Sequence, residues 1–122
     1  MSFCYINGSY KNNIDALISV EDRGFNFSDG VYEVIGFREG KLLNLERHMK
    51  RLSKSLIDLQ IRKPFSNQNS LKIIIHHLLK LNDVDDGFLY LQITRGTSKR
   101  NHLFPSQVKP NIVIFTFSKD IK

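Results

Sequence analysis

The sequence lacks the features by which several classes of protein are recognised. Its only cysteine is Cys4, so no internal disulfide can form and a reducing compartment, the cytoplasm, is expected. No stretch approaches the roughly 20 apolar residues that a membrane helix needs. Polar residues interrupt the first twenty positions, so no signal peptide is expected. A glycine-rich phosphate loop, a nucleophile elbow and internal repeats are also absent.

The composition is that of one globular domain with a basic surface. The chain has 122 residues, of which 41% are apolar and 25% charged, and this is enough to bury a core. Lysine and arginine outnumber aspartate and glutamate by 18 to 12, so the net charge is +6. The excess favours anionic partners in general, such as nucleic acid, phosphorylated cofactors or carboxylate substrates, and does not choose among them.

Several short segments have the residue content of β-strands. Asn7-Gly8 is the preferred centre of a tight hairpin turn, and Glu39-Gly40 occupies a similar place between two apolar runs. The predicted extended segments are a hairpin at 3–10, a short piece at 16–20, a hairpin formed by 31–37 and 41–43, and strands at 88–94 and 112–117. Because both faces of the 88–94 segment are apolar, it is predicted to be a central strand.

Two helices are predicted between the second hairpin and the central strand. The first runs from Asn44, a possible N-cap, to near Gln60, and the second from Asn67 or Asn69 to Leu81. Apolar residues recur at helical spacing in both, at Leu45, Met49, Leu52, Leu56 and Leu59 and then at Leu71, Ile74, Ile75, Leu78 and Leu79. The predicted fold class is therefore α+β, a mostly antiparallel sheet of about six strands with two helices on one face.

The segment from Glu21 to Glu33 organises the rest of the chain. It is predicted as a turn-rich loop, because glycine, asparagine, serine and aspartate recur in it. Phe25 and Phe27 are expected to be buried between its carboxylates and its arginine. The loop would then hold one shape and aim Tyr32 at a ligand.

The basic and histidine residues each have an ordinary interpretation beside a functional one. Arg100 and His102, two residues apart, would form a carboxylate clamp in an extended loop, although a solvated basic loop is the more usual explanation of such a pair. Arg51 lies beside His48 and Ser55 on the first helix and could bind a phosphate or simply face solvent. Two further groups carry weaker signals. A nucleic-acid contact, a minority interpretation, would use the cluster Arg47, His48, Lys50, Arg51 and Lys54. The adjacent His76 and His77 have a spacing that fits no metal site.

Three stretches together resemble one enzyme family, the class IV (fold-type IV) aminotransferases that depend on pyridoxal phosphate. They are Glu21–Glu33, Glu46–Leu52 and Thr94–His102, in order and with natural spacing along the whole chain. The Arg-x-His pair at 100 and 102 is similar to that of the D-amino acid (D-alanine) aminotransferase branch. The resemblance implies that the chain is the small N-terminal domain of such an enzyme.

The resemblance also implies roles for individual residues. Arg51 would bind the cofactor phosphate, and Tyr32, Arg100 and His102 would bind the substrate α-carboxylate, the last two across a homodimer interface. The implied reaction transfers an amino group from a D-amino acid such as D-alanine to a 2-oxo acid.

One departure from the family limits what this chain is expected to do. The family's Schiff-base lysine lies in a second domain, and Lys72, Lys80 and Lys109 do not stand in its context. Residues 1–122 are therefore expected to form the N-terminal domain only, with the cofactor-lysine domain absent and no catalytic residue, and to be inactive alone. Two alternatives remain: a non-catalytic domain that self-associates or docks onto a separately encoded second half, and, more weakly, a basic nucleic-acid-binding domain.

Overall fold

Six strands form one antiparallel sheet in the order β2-β1-β6-β5-β3-β4. The structure is a computed structural model that describes residues 2–99 and 108–118. The strands are β1 (Phe3–Ile6), β2 (Ser9–Asn12), β3 (Gly30–Arg38), β4 (Lys41–Leu42), β5 (Gly87–Thr94) and β6 (Asn111–Ser118). The helices are a 3-10 turn (Asn13–Asp15), α1 (Arg23–Phe27), α2 (Leu45–Asp58) and α3 (Gln68–Asn82). The predicted α+β class, six strands and two main helices are confirmed.

Alternating side chains of the central strands divide the molecule into two layers. On β5, Leu89, Leu91 and Ile93 are fully buried in the core that the sheet shares with α2 and α3. The helices contribute their own apolar stripes to this core, with Met49, Leu52 and Leu56 from α2 and Leu71, Ile75, Leu78 and Leu79 from α3. The intervening β5 residues point to the opposite side of the sheet, away from these two helices. We call this opposite side the outer face.

Both predicted hairpins are confirmed. Asn7 (φ 48°) and Gly8 (φ 97°) have the left-handed backbone of a type I′ turn, and Ile6 pairs with Ser9 across it. Glu39 (φ 52°) and Gly40 (φ 73°) make the second turn. The hairpin arm β4 has only two residues, so most of β3 has a strand partner on one side alone.

The helix ends agree with the prediction for α3 and differ for α2. Asn67 caps α3 in a capping box with Ser70, each side chain bonding the other's backbone. The prediction that the Asn44 side chain caps α2 is wrong. Asn44 precedes α2 but has a left-handed backbone (φ 57°) and makes no side-chain capping bond, whereas a side-chain N-cap uses an extended backbone.

Two predictions about residues 16–33 need correction. Residues 16–20 join no sheet, and the predicted loop at 21–33 contains the one-turn helix α1. The Asp22 side chain accepts a hydrogen bond from the Phe25 N–H and starts that turn. Phe25 is 73% exposed rather than buried, because the inward side of the turn is occupied by Arg23. No helix within the described residues has the length and apolar character to cross a membrane.

Candidate functional site

A buried ionic cluster connects the elements that carry the candidate site residues. One oxygen of the Asp29 carboxylate accepts hydrogen bonds from Nε of Arg23 and from Nε of Arg95, each at 2.8 Å. The Arg95 guanidinium also donates to the carbonyls of Leu59 (2.7 Å) and Gln60 (3.1 Å), just beyond the end of α2. Arg95 thus joins the start of β3 to the C-terminal end of α2, where a positive charge is favourable.

A second buried carboxylate, Asp22, lies beside this cluster. One of its oxygens accepts from the Thr94 hydroxyl (2.6 Å) and the Asn111 side-chain amide (2.8 Å). Gly24 packs so closely on Thr94 that an added Cβ would lie 2.4 Å from the threonine methyl. The sequence indicated the charged loop Glu21–Glu33 but not the ionic contact that Arg95 makes with it. The signal for that residue was an arginine directly after a strand of apolar residues.

Glu33, Arg51 and His48 form the polar centre of the site. Glu33 is 3% exposed on the helix side of β3 and accepts from Arg51 Nε (2.9 Å) and Nη2 (2.7 Å). The His48 Nδ1 atom lies 2.7 Å from the same carboxylate. Burial by itself would raise the pKa of Glu33, but the hydrogen bonds and charges of Arg51 and His48 outweigh it and lower that pKa. The sequence did not identify Glu33 as the partner of Arg51.

Tyr32 lies on the outer face, opposite Glu33. Its side chain is 63% exposed and its ring stacks on Tyr90, with centroids 5.7 Å apart and an interplanar angle of 15°. Burial, and to a lesser degree the neighbouring Tyr32, raises the pKa of the Tyr90 phenol. A pocket of about 340 Å³ is lined by Tyr32 and Val34 from β3 together with Glu33, Arg51 and Ser55. We call it the edge pocket, because it wraps around the side of β3 that β4 does not cover.

The edge pocket brings together two of the four predicted site residues. Tyr32 and Arg51 both line it. Arg100 and His102 lie outside the described residues, so their roles stay predictions. The clustered cations of α2 lie elsewhere: Arg47 and Lys50 are exposed, and Lys54 pairs with Asp58 at 3.0 Å. The part of the chain that the structure describes contains no cluster of three or more potential metal ligands.

The edge pocket can accept a phosphate group at one end. The Arg51 side chain is 63% exposed, and its Nη1 atom has no hydrogen-bond partner among residues 2–99 and 108–118. The Ser55 hydroxyl lies one helical turn along the same face of α2 and supplies a second donor. Bonding to Glu33 raises the pKa of Arg51 further, so the guanidinium stays charged. No lysine among the described residues lines this pocket.

Comparison with known proteins identifies one family from the sequence, and solved structures have the same fold. A family model described as amino-transferase class IV matches residues 30–121. A D-alanine aminotransferase of Staphylococcus epidermidis is 40% identical over 98% of this chain and 43% of its own length, and one of Bacillus licheniformis is 39% identical over 91% and 39%.

Among solved structures, the branched-chain amino acid aminotransferase from Escherichia coli has a similar fold. Its TM-score is 0.88 at 17% identity, over 96% of this chain and 41% of that one. Another branched-chain amino acid aminotransferase, complexed with N-(5'-phosphopyridoxyl)-L-glutamate, has a TM-score of 0.87 at 17% identity, over 96% and 40%. The chain therefore spans less than half the length of the relatives that it matches.

Proposed function

The chain belongs to the class IV aminotransferase family, and on that premise we propose that it is the N-terminal domain of a D-alanine aminotransferase-type enzyme. In this proposal the D-amino acid and the 2-oxo acid bind next to the edge pocket, and a lysine-bearing domain comes from a further segment. The observation that carries it is the placement of Arg51 and Tyr32 in one pocket, with Arg51 fixed by a buried carboxylate. The cytoplasmic location expected from the single cysteine stays a prediction.

Arg51 and Ser55 would hold the cofactor phosphate. Class IV aminotransferases use pyridoxal phosphate, which when bound supplies the electron sink for moving an amino group. Glu33 occupies Nε and Nη2 of Arg51 and leaves Nη1 without a described partner, so the guanidinium is oriented before a phosphate arrives. Because Glu33 already replaces part of the water around the Arg51 guanidinium, less water has to be removed when a phosphate binds.

Tyr32 would contact the substrate carboxylate. Its exposed phenol is a hydrogen-bond donor, and stacking on Tyr90 restricts the ring to one orientation on the outer face. We include Arg100 and His102 as the cationic partners of that carboxylate, supplied by the second protomer of a homodimer. Exchange of Tyr32 for phenylalanine in a complete enzyme should therefore raise the KM for D-alanine.

The chain alone should not transaminate, because no described lysine lines the edge pocket. Incubation with pyridoxal phosphate, borohydride reduction and intact-mass measurement should give no site-specific adduct, and D-alanine with 2-oxoglutarate should give no turnover. A single stoichiometric adduct accompanied by turnover would contradict this part of the proposal.

Phosphate recognition can be tested separately with pyridoxamine 5'-phosphate, which has no aldehyde and so needs no lysine. The chain should bind it weakly, and Arg51→Gln should abolish the binding. Lys54→Gln is the matched control, because it removes one positive charge from the same helix at an exposed side chain. Equal effects of the two substitutions would show general charge attraction instead of a phosphate site at Arg51.

A second candidate function is non-catalytic association, and the outer face favours it. Aromatic rings from β5 and β6 follow one another there: Tyr90 and Phe115 have centroids 5.1 Å apart, and Phe88 and Phe117 5.4 Å. These rings are only partly covered in the single chain, and exposed apolar patches of this kind mark interaction sites. The surface would bind a second copy of the chain or a separately encoded second half.

Light scattering after size-exclusion chromatography tests the second candidate. The chain should self-associate in a concentration-dependent way, and Phe88→Thr, which keeps a strand-forming residue, should shift it toward monomer. Ile73→Gln serves as a control, because Ile73 is 69% exposed on α3 in the other layer. A chain that stays monomeric at all concentrations would count against self-association.

A further inference from the structure

A second and larger cavity lies at the end of the sheet where the β1–β2 turn meets the start of β6. It has a volume of about 570 Å³, and Arg62, Lys63 and Lys109 are the charged residues that line it. All three are exposed, and none forms an ion pair within the described part of the chain. We call this cavity the basic groove. Three positive charges without a carboxylate in the lining make it attractive to an anion.

The largely buried Tyr5 gives the basic groove a neutral polar group, its hydroxyl, in addition to the exposed positive charges. Tyr5 lines the groove and is 7% exposed, and its hydroxyl has no hydrogen-bond partner among residues 2–99 and 108–118. Every fully buried polar side-chain atom of that part of the chain has a partner. The Tyr5 hydroxyl therefore reaches the solvent of the groove, where it is free to bond a ligand.

The walls of the basic groove are held rigidly. The side-chain oxygen of Asn7 accepts from the Ile112 N–H at 2.8 Å, and the Asn7 backbone N–H donates to the Ile112 carbonyl at 3.1 Å. The Asn7 side-chain amide also donates to the Asn111 side chain at 3.0 Å. Pro64 and Pro110, which also line the groove, limit the backbone further. A ligand would meet a preformed site, which lowers the entropic cost of binding.

We propose that the basic groove binds a small molecule with two or more phosphate groups, of the size of a nucleoside diphosphate. The Arg62 fork and the two lysines match several phosphate oxygens, and the Tyr5 hydroxyl donates to one more. The ring of Tyr5 and the two prolines provide an apolar surface for the rest of the ligand. The volume lies within the range of roughly 300–1,000 Å³ that is typical of ligand pockets. The basic groove shares no lining residue with the edge pocket.

Calorimetric titration of the whole chain with ADP and with pyrophosphate tests this proposal. Both should bind saturably with one site per chain, and ADP more tightly because its nucleoside adds apolar contact. Arg62→Gln and Lys109→Gln should each weaken binding by roughly tenfold, as expected for one charge-assisted hydrogen bond. Tyr5→Phe should weaken it by a few-fold without changing the circular dichroism spectrum, because the hydroxyl bonds no described residue.

Lys41→Gln is the control for charge alone. Lys41 is exposed in β4, at the opposite edge of the sheet, and its loss lowers the net charge by the same amount. It should leave ADP binding unchanged. An equal effect of Lys41→Gln and Lys109→Gln would overturn the proposal, and so would the absence of saturable binding at millimolar ADP. Tighter binding of a single-stranded oligonucleotide that is insensitive to Tyr5→Phe would also overturn it.

Discussion

Asp29→Asn is the substitution that tests most directly how the site is held together. The change keeps the shape of the side chain and removes its charge. Asp29 and its partners Arg23 and Arg95 have side chains that are only 2–9% exposed, so water cannot replace the lost anion easily. The neutral amide still offers one acceptor oxygen. Because Arg23 and Arg95 both donate to the same carboxylate oxygen, an asparagine oxygen in that place can keep both hydrogen bonds, and what is lost is the negative charge that compensates the two guanidinium groups.

The expected destabilisation is about 3 kcal/mol. Removal of one partner from a buried ionic group costs roughly 3–5 kcal/mol, and the lower value applies because the asparagine oxygen can keep both hydrogen bonds. Unfolding entropy is about 2.1 cal/mol/K per residue, so for 122 residues the melting temperature should fall by about 12 °C. Because the chain has no tryptophan, unfolding is best followed by far-UV circular dichroism in urea and on heating.

Asp58→Asn is the matched control for this prediction. The same chemical change occurs there in an exposed surface pair, in which the Asp58 side chain is 59% and the Lys54 side chain 78% exposed. Such pairs contribute about 0–1 kcal/mol. If Asp29→Asn lost no more stability than Asp58→Asn, the ionic cluster would not be what holds β3 to α2.

Two further predictions concern the site and the backbone around it. Folding lowers the pKa of Glu33 from 4.5, so the ionised carboxylate stabilises the fold above that pH, and this stabilisation is lost as the pH falls through the lower, folded-state pKa. Glu33→Gln has no carboxylate to protonate, so its free energy of unfolding should fall less steeply as the pH is lowered. At the lowest pH, where Glu33 is protonated, the variant and the parent chain should have similar stability. Gly96→Ala should destabilise the fold by more than about 2 kcal/mol, because Gly96 has φ 129° and the new Cβ would lie 2.2 Å from the Lys109 carbonyl oxygen. Gly40→Ala is the control, since Gly40 has φ 73° but open space around it, and it should cost only about 1 kcal/mol. Urea unfolding of both variants measures the difference.

The sequence predicted the regular elements well because their signals are local. The turn at Asn7-Gly8 depends on two adjacent residues and formed as predicted. The start of α3 depends on residues three positions apart, and it lies at Asn67, one of the two starts that the sequence offered. The central position of β5 followed from its apolar content on both faces. Where a local signal had two solutions, the prediction failed. Asn44 can cap a helix or adopt a left-handed backbone, and the turn into α2 uses the second.

Contacts between distant residues were the part that the sequence could not supply. Arg51 was predicted as a site residue, but its partner Glu33 lies 18 positions earlier and is reached only because α2 packs on β3. Phe25 was expected to be buried on the basis of hydrophobicity alone. In the structure Arg23 takes the inward place, because Asp29 and the ring of Phe27, 4.7 Å from its guanidinium carbon, give it better partners there.

The edge pocket exists because β3 has a long edge without a strand partner. Glu33 reduces the tendency of that edge to pair with another chain. β4 pairs with β3 only at Phe37 and Arg38, so the segment from Gly30 to Ile35 has no strand beyond it among the described residues. Exposed strand edges next to apolar faces favour pairing between chains, and an inward-pointing charge is one device that prevents it. Glu33 is such a charge. A valine there would pack against the core and remove a buried carboxylate, but it would also release Arg51 and leave an apolar edge open. The Glu33 carboxylate therefore has two effects: it orients Arg51 in the edge pocket, and it keeps the open edge of β3 from pairing with a strand of another chain.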